Sequence, residues 1–439
     1  MSKRELDGVG RGWGRLLSTG KVASSAARLA STRLLGAAPG KQRQLGVLLA
    51  SELDQMKGMA MKVGQILSYM DGALPEDAQV ALRELQGGTR AVRFEVMRGA
   101  VETALGGTLE ELFEDFEAVP VASASVGQVH RAHFEGREIA VKVQYPGIRD
   151  TIHADFSRLE GLSRIASLAA SVDGPAIVAE LRERFEEECD YRSEAAWQNW
   201  FRGRFASYSE VRVPEAILER SAETVLSSEW MAGDDFYRFV EHASVVRKQD
   251  AARTLLIFAL RSLFQLGCLN ADPHPGNYLF PESSAGLQPV VFLDFGCVRR
   301  LDPEFVAQER RLFELVLDDR RQAFDAAVLG TGMVAKPDRF DFDLHWQQLC
   351  YQWAPYRSRD FEFTSEYIRS GARFSGPSNP NLRLLAFPPQ WIWVQRLVWG
   401  LHSVLARLGA RGDFASLAER ILSDGAPLTR EEFQRSVEP

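Results

Sequence analysis

The sequence predicts a two-lobed α+β protein with a cleft between the lobes, on three observations. Strand patterns and one acidic helix occupy the middle of the chain. The part after Ser244 is helix-rich. One short hairpin, Tyr278–Phe295, interrupts that helical part. The resulting division is a basic extension over 1–50, a helical extension over 51–116, a first lobe over 117–235 and a helical second lobe over 236–439.

Residues 51–100 carry apolar side chains at helical spacing in "LDQMKGMAMKVGQILSYM", and "PEDAQVALRELQ" opens on a proline suited to a first turn. The pattern changes near Glu117. "VASASVGQVHRAHFEGREIAVKVQYPG" reads as short strands joined by a small-residue loop and a Glu135-Gly136 turn. In "REIAVKVQY" Ile139, Val141 and Val143 alternate with Ala140, Lys142 and Gln144, so Lys142 projects from one face of a strand. Residues 151–202 return to helix and end in "ELRERFEEECDYRSEAAWQNWF". Two strands follow around Pro214, and "LSSEWMAGDD" leaves them for a turn. The later hairpin consists of "YLF", the turn "PESSAGLQ" and "VVFLDF". Near the C-terminus "WIWVQRLVWGLHSVLARL" has the spacing of a buried helix, with Trp391, Trp393 and Trp399 as core residues rather than a docking patch.

The bulk numbers exclude several classes. Hydrophobic residues make up 45% and charged residues 25% of 439, the balance of a globular chain. A net charge of -7 argues against nucleic acid as a partner. The first fifty residues run the other way, with nine basic against two acidic residues, a net of about +7. That Arg-, Ser- and Ala-rich segment is read as a solvated extension, with peripheral membrane contact or targeting as the alternative. No apolar run reaches 18 residues; Leu255–Leu269 is broken by Arg261. Four scattered cysteines without a Cys-x-x-Cys pair suit a reducing compartment. The expected location is cytoplasmic, peripheral to a membrane at most, with no transmembrane span.

Chemistry points to "LNADPHPGNYLF" and "VVFLDFG". Asp294 follows a buried strand and precedes Phe295-Gly296. The hairpin brings Asn277 and Asp294 to one end of its two strands, and two oxygen ligands there suit Mg²⁺. Asp272 is then the spare carboxylate, placed to orient or deprotonate an attacking hydroxyl. Either Asp272 or Asn277 alone would be explained by turn formation; the three in order, with Lys142 upstream, have the layout of phosphoryl transfer. His274, between two prolines, is assigned to loop packing. Lys142 needs a carboxylate, and the acidic helix offers Glu188, Asp190 and Glu194, the last two four apart on one face. Ala122, Ser123, Ala124, Ser125, Val126, Gly127, Gln128 and Val129 form a small-residue loop that could close over phosphates, with less freedom than a glycine-rich one.

In order, "MKVGQ", "VASASVGQVH", "IAVKVQYPG", "EEECDYRSEA", "LNADPHPGN" and "FLDFG" resemble the motifs of the UbiB/AarF-domain family of atypical kinases, from about Leu53 to Leu408. The resemblance implies a protein-kinase-like fold with an N-terminal helical extension. It implies that Lys142 contacts nucleotide phosphates, that Glu194 is its ion-pair partner, that Asp272 is catalytic, and that Asn277 and Asp294 hold Mg²⁺. Ala122–Val129 matches the family's alanine-rich loop, and Glu229 and Met231 are placed with the nucleotide-binding residues. Lys62, Gly64 and Gln65 match a Lys-x-Gly-Gln signature that folds over the active site near the acidic pair matched by Glu188 and Asp190, a regulatory cover against peptide substrates. Without the resemblance, Lys62 reads as an exposed helix lysine.

The function so implied is an atypical kinase or ATPase that binds ATP or ADP with Mg²⁺ and supports ubiquinone or isoprenoid-lipid metabolism. A lipid or quinone precursor and lipid-biosynthesis proteins are the implied partners. Many bacterial members end in membrane spans, whereas "DGAPLTREEFQRSVEP" has no such run. Two alternatives stand beside this reading. One is a nucleotide-gated scaffold that binds without turnover. The other is a small-molecule phosphotransferase, which typically has His where this chain has Asn270.

Overall fold

The computed structural model describes residues 92–124, 126–150, 153, 156, 182, 186, 189–282, 289–374, 379–386 and 388–424. The basic extension, most of the helical extension, Lys62, Gly64, Gln65, Ser125, Glu188 and most of the predicted "PESSAGLQ" turn lie outside these residues. The chain divides into two compact units. Of the described residues, those up to 191 together with 222–225 form the first, and 192–221 together with those from 226 onward the second.

The first unit is built on a long hairpin. Helices α1 (Phe94–Leu105) and α2 (Leu109–Leu112) lead into β1 (Asp115–Phe116), β2 (Ala122–Ser123), β3 (Gly127–Phe134) and β4 (Arg137–Gln144). Strand β3 pairs antiparallel with β1, β2 and β4. The expected Glu135-Gly136 turn is present, and both residues take positive φ, 52° and 69°. That is the backbone a two-residue hairpin needs, and glycine adopts it without cost. Ile139, Val141 and Val143 are fully buried, as the alternation of β4 predicts. The end of β4 is fastened to later chain: Gln144 N donates to Thr224 O at 3.0 Å, and Gln144 Nε2 donates to Cys189 O at 2.9 Å.

Helix α3 (Tyr191–Arg204) starts in the first unit and continues in the second. Asp190 therefore precedes the helix rather than lying on its face with Glu194. The reason is tertiary: the Cys189 carbonyl is taken by Gln144 Nε2 and by Arg149 Nη2 at 3.0 Å.

The second unit contains β5 (Val211–Arg212), β6 (Val225–Glu229, whose first residue is in the first unit), β7 (Asp234–Asp235), α4 (Phe236–His242) and α5 (Val245–Phe264). Then come β8 (Cys268–Asn270), β9 (Tyr278–Phe280), β10 (Val290–Phe292), β11 (Val298–Arg300), α6 (Pro303–Leu317), α7 (Arg321–Gly330) and α8 (Phe342–Gln352). Last are β12 (Phe361–Glu362), α9 (Ser365–Gly371), α10 (Pro389–Leu408), β13 (Arg411–Gly412) and α11 (Phe414–Ser423). The expected β9–β10 hairpin is antiparallel, with Phe292 opposite Tyr278. It belongs to a larger sheet in the order β5-β10-β9-β7, where β10 runs parallel to β5. A second pair, β8 with β11, sets Val298 opposite Asn270.

Helix α5 is the centre of this core, with twelve buried residues from Ala251 to Phe264. Phe258 stacks on Phe292 with ring centroids 4.0 Å apart. Trp393, Val394, Leu397 and Leu401 of α10 are buried too, and Trp391 and Trp399 pack against the same core. No helix among the described residues is long and apolar enough to cross a membrane.

Candidate active site

The loop between β8 and β9 carries Asp272 and Asn277. Pro273 and Pro275 remove two backbone donors, so the loop closes on its own polar groups. His274 N donates to Asp272 O at 2.7 Å, and Asn277 N to His274 O at 2.9 Å. His274 Nδ1 accepts from Gly276 N at 3.1 Å, which gives the imidazole a packing and capping task within the loop.

Asn277 Nδ2 donates to Asp272 O at 2.9 Å and to Asp272 Oδ2 at 3.2 Å. The amide is thereby oriented, with Oδ1 as its remaining acceptor. Leu293 N donates to Asn277 O at 3.0 Å, so Asp294 stands one residue beyond the backbone of Asn277. Asp294 Oδ1 accepts from Gly296 N at 3.0 Å. Phe295 is fully buried and meets Phe201 of α3 at 5.1 Å. Glu194, on the same helix, is 3% exposed. A methyl group placed on Gly296 would meet Asp294 Oδ1 at 3.4 Å and Glu194 Oε2 at 3.6 Å. Two carboxylates thus flank Gly296, an arrangement that favours a cation.

Two residues to which the motif reading gave no role in the site complete this cluster. Asn270 Oδ1 accepts from Asp272 N at 3.2 Å, and Asn270 Nδ2 donates to Asp294 O at 2.5 Å. Arg396 of α10 places Nη2 2.7 Å from Asp272 Oδ1, with side chains 14% and 18% exposed. The available signal for Arg396 was a charged residue in the middle of a mostly apolar helix. Asn270 gave no signal beyond its position two residues ahead of Asp272.

In the first unit Lys142 lies opposite Val129 on β4, with Nζ 4.8 Å from the centroid of the Tyr191 ring. Tyr191 is itself fully buried, and its N–H donates to Glu223 O at 3.0 Å. A cation over a fixed aromatic face gains roughly 0.5–2 kcal/mol. The small-residue stretch is more regular than a loop. Ala122 and Ser123 pair with Val129 and Gln128, and Ala124 N donates to Gly127 O at 2.8 Å. Val126 and Gln128 point inward. Gln128 is fully buried, accepts from Val92 N at 3.0 Å and meets His130 Nε2 at 2.9 Å. Burial holds the His130 imidazole below its usual pKa. Ala122 and Ser123 are exposed, and Ala124 and Val129 are half-buried. In the second unit Glu229 pairs with Arg212 at 2.6 Å, and Met231 is half-buried in the segment after β6.

The model of the ABC1 atypical kinase-like domain matches residues 84–327, more than half of the chain. The chain belongs to the ABC1 atypical kinase-like family. Among ABC1 relatives, the chain is 26% identical to "Atypical kinase COQ8, mitochondrial" of Saccharomyces cerevisiae over 85% of this chain and 75% of that protein. It is 32% identical to "Atypical kinase COQ8B, mitochondrial" of Rattus norvegicus over 58% of this chain and 48% of that one. Across four relatives, from yeast, worm, plant and rat, the chain spans between 33% and 75% of their lengths. The solved structure of Rv3197 from Mycobacterium tuberculosis, in complex with erythromycin, matches with a TM-score of 0.65 and 26% identity. That match covers 82% of this chain and 90% of the mycobacterial one. The fold of this ABC1 member is kinase-like, as the motifs predicted.

Proposed function

We propose that this chain binds ATP or ADP with Mg²⁺, transfers or hydrolyses the terminal phosphoryl group, and supports ubiquinone or isoprenoid-lipid metabolism. The observation that carries this reading is the junction of Asp272, Asn277 and Asp294, joined through Asn270. Asn277 Oδ1 and the Asp294 carboxylate are hard oxygen donors, the kind Mg²⁺ selects. Among the described residues no three His, Cys, Asp or Glu side chains form a metal cage. A two-ligand site completed by phosphate oxygens and water fits that donor set. Mg²⁺ held there would neutralise charge on the phosphate oxygens.

Lys142 is assigned to the phosphates and Ala122–Val129 to the turn that closes over them, through its backbone and its outward-facing residues. Glu229 and Met231 are assigned to the nucleotide. Asp272 orients the acceptor. The acceptor oxygen bonds to the terminal phosphorus, the bond from phosphorus to ADP breaks with its electrons going to ADP, and the acceptor's proton leaves through Asp272 to solvent. Lys62, Gly64, Gln65, Glu188 and Asp190 are assigned to regulation of the site. The names of the yeast and rat relatives support the lipid-quinone context.

Thermal unfolding with MgATP and with MgADP tests the binding step. At a hundredfold excess over Kd, stabilisation of about 2.7 kcal/mol is expected. Asp294→Asn should abolish it, and Asp272→Asn should keep binding while stopping phosphate release. A wild-type protein that gains nothing from either nucleotide would exclude this function. Binding without release, unchanged in Asp272→Asn, would favour the nucleotide-gated scaffold.

A further inference from the structure

We propose that Arg396 is a positioning residue for Asp272, and that helix α10 sets where the catalytic loop can place its carboxylate. The proposal rests on the phosphoryl-transfer reading above. Its basis is a contact that no motif of the chain contains.

An arginine halfway along an apolar helix loses hydration unless a partner replaces it. From Gln390 to Ala406 the only charged side chain of α10 is Arg396. Its partner is Asp272 Oδ1 at 2.7 Å. Gly400 lies four residues later, on the same face of the helix. A methyl group on Gly400 would meet Pro273 Cγ at 2.6 Å. Two residues one helical turn apart therefore hold two consecutive loop residues, one by charge and one by close approach.

Helix α10 is itself fixed. The Arg299 guanidinium sits 4.1 Å from the Trp393 ring centroid, and Gln390 Oε1 accepts from Asp302 N at 2.7 Å. Trp399 packs onto Gly371 so closely that a side chain there would collide with it. Asp272 is thus held from two directions, by Arg396 at Oδ1 and by Asn277 at Oδ2. Those two bonds fix the carboxylate plane, and with it the direction from which Asp272 can meet an acceptor hydroxyl. Arg396 bonds the orienting carboxylate of Asp272, which is not one of the assigned Mg²⁺ ligands. Its removal should therefore change turnover and spare nucleotide binding.

The experiment compares full-length wild type, Arg396→Lys, Arg396→Met and Arg396→Ala by MgATP thermal shift and steady-state phosphate release. The expected result is a fall in kcat of tenfold or more in the Met and Ala variants. KM and the nucleotide-induced shift should stay within twofold of wild type. Arg396→Lys should recover part of the loss, because it restores charge without the fork. Guanidinium ion at low millimolar concentration should partly rescue Arg396→Ala, where equal sodium chloride does not. If the Met and Ala variants fail to fold, Arg396→Lys alone decides, since a kcat equal to wild type overturns the proposal. Loss of binding together with kcat, or a kcat within twofold of wild type in Arg396→Met, also overturns it while the phosphoryl-transfer reading stands. Wild type without nucleotide shift and without release overturns both.

Discussion

Asn270 and Asp294 are tied by a 2.5 Å hydrogen bond from the Asn270 amide to the Asp294 carbonyl, and the other end of the same amide accepts from Asp272 N. One side chain thereby sets the spacing between the proposed catalytic loop and the proposed metal-binding strand. Asn270→Ala leaves a half-buried N–H and C=O without that amide, which costs roughly 1–3 kcal/mol. Urea unfolding should show that loss, and phosphate release should fall at least tenfold. Asn270→Asp should be no better, because a carboxylate accepts from Asp272 N but cannot donate to the Asp294 carbonyl.

Gly127 opens β3 directly against the backbone of β4. A Cβ there would collide with the Val143 carbonyl, and the obstacle is backbone rather than a side chain that can swing away. Gly127→Ala should force the hairpin ends apart next to Lys142. Overpacking of a rigid site costs about 1–3 kcal/mol, and backbone displacement raises it further. The expected outcome is a lower Tm together with loss of the MgATP-induced shift.

Gly400→Ala sets two effects against each other. Alanine in a helix interior gains about 1 kcal/mol over glycine, while a methyl 2.6 Å from Pro273 Cγ costs about 1–3 kcal/mol. Net stability should change little, yet Pro273 must move and take Asp272 with it. Phosphate release should drop severalfold in a protein whose Tm is within a few degrees of wild type. Gly296→Ala is the contrast. Its nearest contacts are ordinary at 3.4 and 3.6 Å, so the fold should accept it.

Buried titrating groups give a pH dependence whose sign can be worked out. Burial raises Glu309 from 4.5 to about 7. Its contribution is complete below the unfolded value of 4.5 and is lost as pH rises towards about 7. Burial lowers His345 to about 4 and His402 to about 3. Their contribution is present above the unfolded value of 6.5 and is lost as pH falls from there. Two histidines outweigh one glutamate, so stability should fall on acidification below about pH 6.5. Glu309→Gln should raise urea stability at pH 8 by up to roughly 3 kcal/mol and change it little at pH 5.

Much of this was legible in the chain because it is local. The β3–β4 hairpin follows from alternation plus Glu135-Gly136, and the β9–β10 pair follows from two apolar runs around a turn. Asp272, Asn277 and Asp294 could be proposed together because they lie within one supersecondary unit. What the sequence did not disclose depends on distant partners. The parallel β5–β10 pairing joins Val211 to Val290, and no periodicity signals it. The inward turn of Gln128 depends on His130 and Val92 N. Asp190 falls outside its helix because Gln144 and Arg149 claim the preceding carbonyl. Arg396 is 124 residues from Asp272, and its role rests on three-dimensional proximity alone.

That separation bears on how the chain matures. Synthesis proceeds from the N-terminus, and domains fold as their parts emerge. The loop bearing Asp272 and the strand bearing Asp294 are both made long before α10 leaves the ribosome. Until then the aspartate has no counter-ion from that helix and Pro273 lacks its contact with Gly400. Closing a contact over 124 residues is slow compared with forming hairpins. A nascent chain at that stage has these strands made but the Asp272 carboxylate not yet held by Arg396.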